Sequence, residues 1–584
     1  MHIRTLNLQL LINDFVSFIF MGGFIVGISH LLVYIKKGIA MLFQIGILAT
    51  AHRVYSKLKG IKKRKEYKEF HIVSKDQLEK QRNYIFKKPL TFSILTPLYN
   101  TPEQFLIDMI SSVRNQTYKN FELCLADASD ENHKYVEKIC KDFAATDDRI
   151  KYKKLSENKG ISENTNECLS LSTGDFISIL DHDDILHPSA FFESMKAIEE
   201  KNADFVYTDE AKFFEAVDKI HDPNFKPGFS ADELRAHNYI CHFNTYSRKL
   251  LDEVGTYRSK CDGSQDHDMV LRLTEHAKSI VHISKVLYYW RVHKGSVSFN
   301  VNTKSYAVDA AKVAVSEQLE RLNLRGSVDS IVPFQTLYKV SYELLENPLI
   351  TIIIHSAKTQ NQIEMAIKVL QKKTSYKNLE ILTILPGADS SSARAWNKKI
   401  EQATGEYIIM LNAALCDIEN STWIEEMLML AQREDVGAVG CKCCYANKTI
   451  LYAGISLCDK IKSKLIYWHH GLHSDNQGYE ACLCHVRNTT GLWAGCFMIK
   501  KQVLKNTGGF SDNMPEYEGV DMGLKLIEKK LNVLWTPFAK TYFNLSPQNE
   551  PSLEYTKNFI KVWSKYLKQD DLYCNPNLVN FNLI

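Results

Sequence analysis

From Thr91 onward the chain alternates short apolar runs with longer amphipathic stretches. Thr91-Phe-Ser-Ile-Leu-Thr96 reads as a strand, broken by Pro97. Tyr99-Asn100-Thr101-Pro102 then opens a helix reaching about Asn115, with Pro102 near its first position. Phe121–Ala126 is a second strand, ending at Asp127, and Asn158-Lys159-Gly160 precedes a helix from about Glu163 to Leu171. Phe176–Leu180, β-branched and aromatic, is a buried strand that ends in Asp181, Asp183 and Asp184 around His182. Strands alternating with helices predict an α/β fold with a mostly parallel, doubly wound sheet. In such sheets ligands sit in the crevice beyond the carboxyl ends of the strands.

The pattern recurs. Tyr118-Lys-Asn-Phe-Glu-Leu123 returns as Tyr376-Lys-Asn-Leu-Glu-Ile381, an offset of 376 − 118 = 258. Thr173-Gly-Asp-Phe-Ile returns as Thr404-Gly-Glu-Tyr-Ile, an offset of 404 − 173 = 231. Asp268-Met-Val-Leu-Arg-Leu returns as Asp521-Met-Gly-Leu-Lys-Leu, an offset of 521 − 268 = 253. Two units of one fold are expected. In the second, Asn412, Ala414 and Leu415 fall opposite Asp181, Asp183 and Asp184, and Gly519 falls opposite Asp266. That copy therefore lacks the charges of the first, unless Asp417, Glu419 and Glu518 serve from shifted positions. The expected organisation is residues 1–53 as a hydrophobic helical segment, 54–88 as a basic helical linker, and 89–302 as a first, catalytic domain. A helical connector over 303–346 and a second, degenerate domain over 347–584 follow.

Phe15–Tyr34 contains no Asp, Glu, Lys or Arg, and its length of about twenty residues suits a membrane-crossing helix. Ile39–Ala49 is a shorter apolar run, and a basic block from Arg53 to Lys68 favours the cytoplasmic side. A membrane anchor with a cytoplasmic body is the expectation; a cleaved signal peptide and a soluble interaction helix are its rivals. At 584 residues, 45% hydrophobic and 24% charged, the chain is globular and long enough for several cores. A net charge of +4 excludes a general nucleic-acid binder. The 14 cysteines lie mostly inside apolar runs, which fits reduced thiols rather than a disulfide scaffold. Cys441, Cys443, Cys444, His469, His470, His473, Cys482, Cys484 and His485 include zinc-ligand types, but Cys-Lys-Cys-Cys and Cys-Leu-Cys are not zinc-knuckle spacings. Alternation along a strand makes Cys441 and Cys443 core residues of one face instead.

The chemistry concentrates in the first unit. Carboxylates at a strand's carboxyl end are hard oxygen ligands for Mg²⁺ or Mn²⁺ holding a diphosphate, although one of them could simply cap the next helix. Asp127 can accept from a nucleobase or ribose, or merely close an Asx turn. Asn158-Lys159-Gly160 is neither a dinucleotide fingerprint nor a P-loop, yet Lys159 can face phosphates. Asp266 and Asp268 open an amphipathic helix, where one can be a general base and the other only a partner of the helix dipole. Trp290-Arg291-Val-His293-Lys294 brings an indole, two cations and an imidazole into one loop.

Taken in order, Thr96-Pro97-Leu98-Tyr99-Asn100, Asp127, Asn158-Lys159-Gly160, Leu180-Asp-His-Asp-Asp184, Ser264-Gln-Asp-His-Asp268 and Trp290-Arg-Val-His293 resemble the family 2 glycosyltransferases of GT-A fold. Tyr207-Thr-Asp-Glu210, Asp222-Pro-Asn-Phe-Lys-Pro227, His237-Asn-Tyr-Ile240 and the ending Asp571–Asn577 resemble the tandem-domain, rhamnosyltransferase-like branch that builds bacterial surface polysaccharides. The resemblance implies two tandem GT-A-like domains, the fold of nucleotide-diphospho-sugar transferases. It also implies an inverting transfer from a nucleotide sugar to a glycan or lipid-linked glycan. By the same resemblance Asp181 and Asp183 hold the metal with His293 near it, and Asp266 is the base. Pro97, Tyr99, Asn100, Asp127, Lys159, Asp181 and Arg291 line the donor, and Gln265 and Trp290 the acceptor side. A glycan-binding scaffold and a polymerase with two active sites are the alternative functions. Donor sugar, linkage and oligomeric state have no signature in the sequence.

Overall fold

The computed structural model describes residues 70–293, 305–387, 392–546 and 551–584. The expected anchor and residues 54–69 of the basic linker lie outside those residues. Among the described residues no helix is long and apolar enough to cross a membrane. Phe70–Ile331 and Gln335–Ile584 form one compact unit.

Its first half is built on β1 (Phe92–Leu98), β2 (Phe121–Asp127), β3 (Ile150–Lys154), β4 (Phe176–Ile179), β5 (Ile185–Leu186), β6 (Phe205–Phe213), β7 (His221–Asn224), β8 (Asn244–Ser247) and β9 (Ile280–Arg291). These strands form one sheet in the order β3-β2-β1-β4-β8-β6-β9-β5, with β7 on β6. Helices α1 (Lys75–Arg82), α2 (Glu103–Arg114), α3 (Tyr135–Ala144), α4 (Ile161–Leu171), α5 (Ala190–Lys201), α6 (Ala231–Ala236), α7 (Arg248–Val254), α8 (Gln265–His276) and α9 (Ser305–Arg321) accompany it. A hairpin of β10 (Gly326–Ser330) and β11 (Tyr338–Tyr342) leads to the second half. There β12 (Ile350–His355), β13 (Leu379–Thr383), β14 (Tyr407–Asn412), β15 (Leu415–Ile418), β16 (Val436–Tyr445), β17 (Ile450–Tyr452), β18 (Ile455–Leu457), β19 (Leu465–Tyr467), β20 (Arg487–Asn488), β21 (Cys496–Lys500) and β22 (Asn532–Phe543) follow. The helices of this half are α10 (Gln360–Lys373), α11 (Ala393–Gln402), α12 (Trp423–Ala431), α13 (Lys501–Asn506), α14 (Glu518–Glu528), α15 (Leu553–Leu567) and α16 (Pro576–Asn580).

The main sheet of the second half runs β13-β12-β14-β21-β16-β22-β15. That is the order β2-β1-β4-β8-β6-β9-β5 over again, with the same parallel and antiparallel senses. Side-chain devices recur with it. Tyr118 Oη donates to Leu90 O at 2.6 Å and Tyr376 Oη to Pro348 O at 2.6 Å. Glu122 accepts from Ser93 Oγ at 2.7 Å and Thr173 Oγ1 at 2.8 Å, and Glu380 from Thr351 Oγ1 at 2.5 Å and Thr404 Oγ1 at 2.8 Å.

Two expectations are corrected. The sheets are mixed rather than mostly parallel, because β8 and β21 insert antiparallel between parallel neighbours. A short buried apolar run carries no mark of its direction, so alternation with helices could not reveal this. Pro97 does not break β1, since it pairs with Ala126 inside the strand. On its other side β1 is paired to β4 only as far as Leu95–Ile179, so the missing N–H falls where that ladder has ended.

Buried polar contacts join the halves. Arg433 lies on Asp232, with Nη2 donating to Oδ2 at 3.0 Å, while Arg235 and Tyr342 close the same cluster. Both carboxylate and guanidinium are enclosed, at 5% and 4% exposure. Burial alone would raise the Asp232 carboxyl, but Arg433 and Arg235 hold it down at about 2. Near the chain's end, Asn575 Nδ2 donates to Asp209 at 2.9 Å and to Lys226 O at 3.0 Å, and Phe581 stacks on Phe225.

Candidate active site

The parallel strands β1, β2 and β4 all end on one side, and the loops leaving them carry the predicted chemistry. After β4 the chain turns through Asp181–Asp184. The three acids diverge. Asp181 keeps 46% of its side chain exposed, with Oδ2 3.5 Å from His242 Nε2. Burial pushes its carboxyl up, but the hydrogen bond and charge of His242 outweigh it, so the net shift is downward. Asp183 Oδ2 lies 2.8 Å from His293 Nε2. Asp184 is fully buried, accepting from Arg291 N at 2.7 Å and from Tyr288 Oη. Burial and the neighbouring Asp183 and Asp181 raise its carboxyl well above the usual range. Asp184 therefore anchors the loop, and Asp181 and Asp183 face outward.

Arg291 supports the same loop. Nε donates to Asp183 O at 2.6 Å, Nη2 donates to Asp108 at 3.0 Å, and the guanidinium lies over Phe105 and Phe213 at 4.4 and 4.7 Å. At 4% exposure it orders the acids from behind rather than lying open to a donor. Asp127 is likewise enclosed, accepting from Ser129 N at 2.8 Å, Tyr152 Oη at 2.8 Å and Lys154 Nζ at 3.1 Å. This is the Asx-turn geometry, extended by a cation. Asn100 sits at φ 51° and braces Asp130 and Ser129, with Nδ2 donating to Asp130 at 2.9 Å. Tyr99 is exposed, and Lys159, 56% exposed, has its Nζ 3.7 Å from Glu157 as its ion pair among the described residues. These two remain open towards a ligand.

Asp266 is the second residue of α8. Burial and then the charge of Asp181 raise its carboxyl to about 6, countered by His242 and by the amide of Gln265, which donates at 2.9 Å. The charge of Asp181 is the second cause of that rise, so the two carboxylates lie near enough to repel each other. Its neighbour Asp268 is structural, held between Arg258 Nε at 3.0 Å and Arg272 Nε at 3.1 Å. Trp290 stands over His242 with ring centroids 5.5 Å apart. A base titrating near 6 is ionised at neutral pH and still basic enough to take a proton as an alcohol attacks. The acid limb of kcat/KM is accordingly expected at about pH 6, and a pH–rate profile with a flat acid side down to pH 5 would remove Asp266 from the role.

The motifs of β6 and of the loop before β8 place a layer whose roles the sequence does not disclose. Lys226 is fully buried, with Nζ donating to Ile240 O at 2.6 Å, to His242 O and to Glu210 at 3.2 Å. It holds the loop that brings His242 to Asp181. Cys241 Sγ lies 3.4 Å from His242 Nε2. Asp222–Pro227 and His237–Ile240 are visible as words of a motif, but the hold of Lys226 on the loop that carries His242 is a tertiary fact.

The second half shows the reverse. Leu95 pairs with Ile179, and Ile353, its counterpart, pairs with Met410, an offset of 410 − 179 = 231. Asn412 therefore stands where Asp181 stands, as expected from the repeat. At Gly519 a Cβ would meet Leu492 O at 2.2 Å. No side chain fits there without a backbone shift, so the counterpart of Asp266 is not merely substituted; the backbone has closed over its place. Asp417 pairs with Lys373 at 3.0 Å and Glu419 with Lys540 at 2.9 Å, so neither replaces the lost acids. Glu518, which burial raises to about 7, borders an open pocket of about 220 Å³ with Ser392, Arg394 and Asp512. Cys441 and Cys443 are buried together on β16 near Cys496.

Residues 93–255 match the family described as Glycosyl transferase family 2. The first half carries a family 2 glycosyltransferase domain. The match to this transferase domain covers the strands that bear Asp127, Asp181 and Asp183, and ends before Asp266. Over 83% of this chain there is 29% identity to the uncharacterized protein y4gI of Sinorhizobium fredii, covering 57% of that protein. Over 84% there is 27% identity to the O-antigen biosynthesis protein RfbC of Myxococcus xanthus, covering 40% of it. The chain thus spans about half the length of these relatives. The crystal structure of S. aureus TarS 1-349 in complex with UDP-GlcNAc matches 39% of this chain and 66% of that one, at 18% identity and a TM-score of 0.33.

Proposed function

We propose that the chain is a metal-dependent, inverting glycosyltransferase that moves a sugar from a nucleotide-sugar donor onto a growing cell-surface glycan. The carrying observation is the asymmetry between the halves. One has an exposed Asp181, a part-buried Asp183 and a raised Asp266, and the other has Asn412, Ala414 and a glycine that admits no side chain. The relatedness to a protein named for O-antigen biosynthesis supports the glycan as acceptor class.

Asp183 with His293 supplies one hard oxygen and one imidazole nitrogen at 2.8 Å, a donor set that fits Mn²⁺ better than Mg²⁺. Asp181, whose Oδ2 also faces His242 Nε2 at 3.5 Å, is the third residue that would hold the ion with them. When bound, such an ion neutralises charge on the departing diphosphate. The protein's own residues do the rest. Tyr99 and Lys159 stand open to the nucleotide side, Arg291 and Asp184 fix the acid loop, and Asp266 takes the acceptor's hydroxyl proton. Inversion follows from a single displacement by an acceptor approaching from the Asp266 side.

Residues 89–302 form the catalytic domain in this reading, and 347–584 a degenerate partner that packs against it. We place the body at the cytoplasmic face of a membrane, held by Phe15–Tyr34; the charge-free run and the basic block after it support this. The test is release of nucleoside diphosphate by the purified chain across UDP-, GDP- and dTDP-sugars, with a glycan acceptor. Chelation should abolish release and Mn²⁺ restore it, whereas Asp183→Ala should stay inactive at any Mn²⁺ concentration. Turnover that survives chelation would refute the metal dependence. No release from any donor would favour a glycan-binding scaffold.

A further inference from the structure

We propose that Glu233, His237 and His485 form a binding site for a transition-metal dication of zinc type, separate from the donor site, that fastens the two halves together. Glu233 lies on α6 and His237 directly follows that helix, its N–H donating to Glu233 O at 3.0 Å. His485 comes from the second half, just before β20. The three potential ligand atoms all lie within 4.8 Å of one another. Glu233 Oε1 is 3.9 Å from His485 Nε2, and the two imidazole centroids are 4.8 Å apart.

What singles this cluster out is unmet hydrogen bonding. His237 Nε2 and His485 Nε2 are both buried and have no hydrogen-bond partner among the described residues. The Glu233 carboxylate, 7% exposed, accepts no hydrogen bond among the described residues. Buried polar atoms are normally paired, and two orphaned imidazole nitrogens with a carboxylate beside them call for an occupant. The tautomer is set for a metal: His485 Nδ1 donates to Val486 O at 3.1 Å, which leaves the lone pair on Nε2. Burial keeps both rings neutral, His485 down at about 4 and His237 well below its usual value, with His485 and His267 adding to the second shift. Neutral imidazole is the ligating form.

Two imidazoles and a carboxylate are borderline donors that suit zinc, with a fourth position left for water. Tetrahedral ligation at about 2.1 Å needs donor atoms about 3.4 Å apart, which rotation of these side chains by about an ångström supplies. The alternative use of Glu233, as a counter-charge to Arg487, leaves both histidine nitrogens unexplained, because Arg487 lies against Trp468 and Trp535 and donates to Ala453 O. Asp232, the neighbour of Glu233, already pairs with Arg433 across the same junction. A metal here would add a second fastening to one short helix.

The experiment is a Co²⁺ titration of the full chain after chelation, repeated on Asp183→Ala, in which the donor-side pair with His293 can no longer take the ion. One equivalent should bind with d–d absorption typical of nitrogen and oxygen ligands, and without a thiolate charge-transfer band. His237→Gln and His485→Gln should each weaken binding at least tenfold, and Zn²⁺ should displace the cobalt. Uptake far below one equivalent by the unaltered chain overturns the site, and needs no variant to fold. A strong thiolate band, which would assign the ion to Cys441, Cys443 and Cys496, overturns it equally. So does unchanged affinity in a folded His237→Gln protein.

Discussion

Asp266→Asn should lower kcat/KM for sugar transfer by about 10²–10⁴-fold while leaving the protein at least as stable as before. The side chain keeps its size and its amide-facing contact with Gln265, so the loss is that of a proton acceptor. The stability change has a definite sign. Burial and Asp181 raise the folded carboxyl to about 6 from an ordinary 3.8. Ionising it thus opposes folding, by nothing below pH 4 and in full above pH 6. Asparagine removes that penalty, which on two units at about 1.4 kcal/mol each is at most about 3 kcal/mol at pH 7.5. Part of it belongs to the pair with Asp181 and will not be recovered. Donor turnover and thermal unfolding of the same preparation decide the matter. An active variant ends the assignment of Asp266 as base, and an inactive but unfolded one says nothing for it.

Arg433→Ala should cost about 3–5 kcal/mol of stability, because Asp232 would be left ionised and enclosed without its main partner. Arg235 is the remaining cation and is shared with Gln318 at 3.1 Å. Urea unfolding of the variant, against an Asp232→Leu, Arg433→Met double substitution of similar volume, separates the charge from the packing. The double variant should regain most of the loss. If the single variant loses less than about 1 kcal/mol, the pair is peripheral to the joint between the halves.

The repeat, the acids and their degeneration were all legible along the chain. Tyr118 and Tyr376, Glu122 and Glu380, and Asp181 opposite Asn412 are matched by position alone, and the sheet registers place them as the offsets require. Local chemistry also identified the helix of Asp266, since prolines and apolar periodicity are local signals. The loop expected over residues 290–294 is instead strand as far as Arg291, which pairs with Phe213. Direction of strands was not local, and the mixed sheet had to be seen. Nor could spacing tell Asp183 from Asp184, or Asp266 from Asp268. Each pair offers identical carboxylates, and the distinction is made by Tyr288, Arg291, Arg258 and Arg272, which arrive from elsewhere in the chain.

Sequence by itself determined which residue types stand at the strand ends and which copy kept its charges, because both are properties of neighbouring positions. Only the tertiary structure decided which acids are open, which are anchors, and which histidines lack a partner. Those depend on distances between segments up to hundreds of residues apart, such as Glu233 and His485, and on how much water each carboxylate loses where they meet.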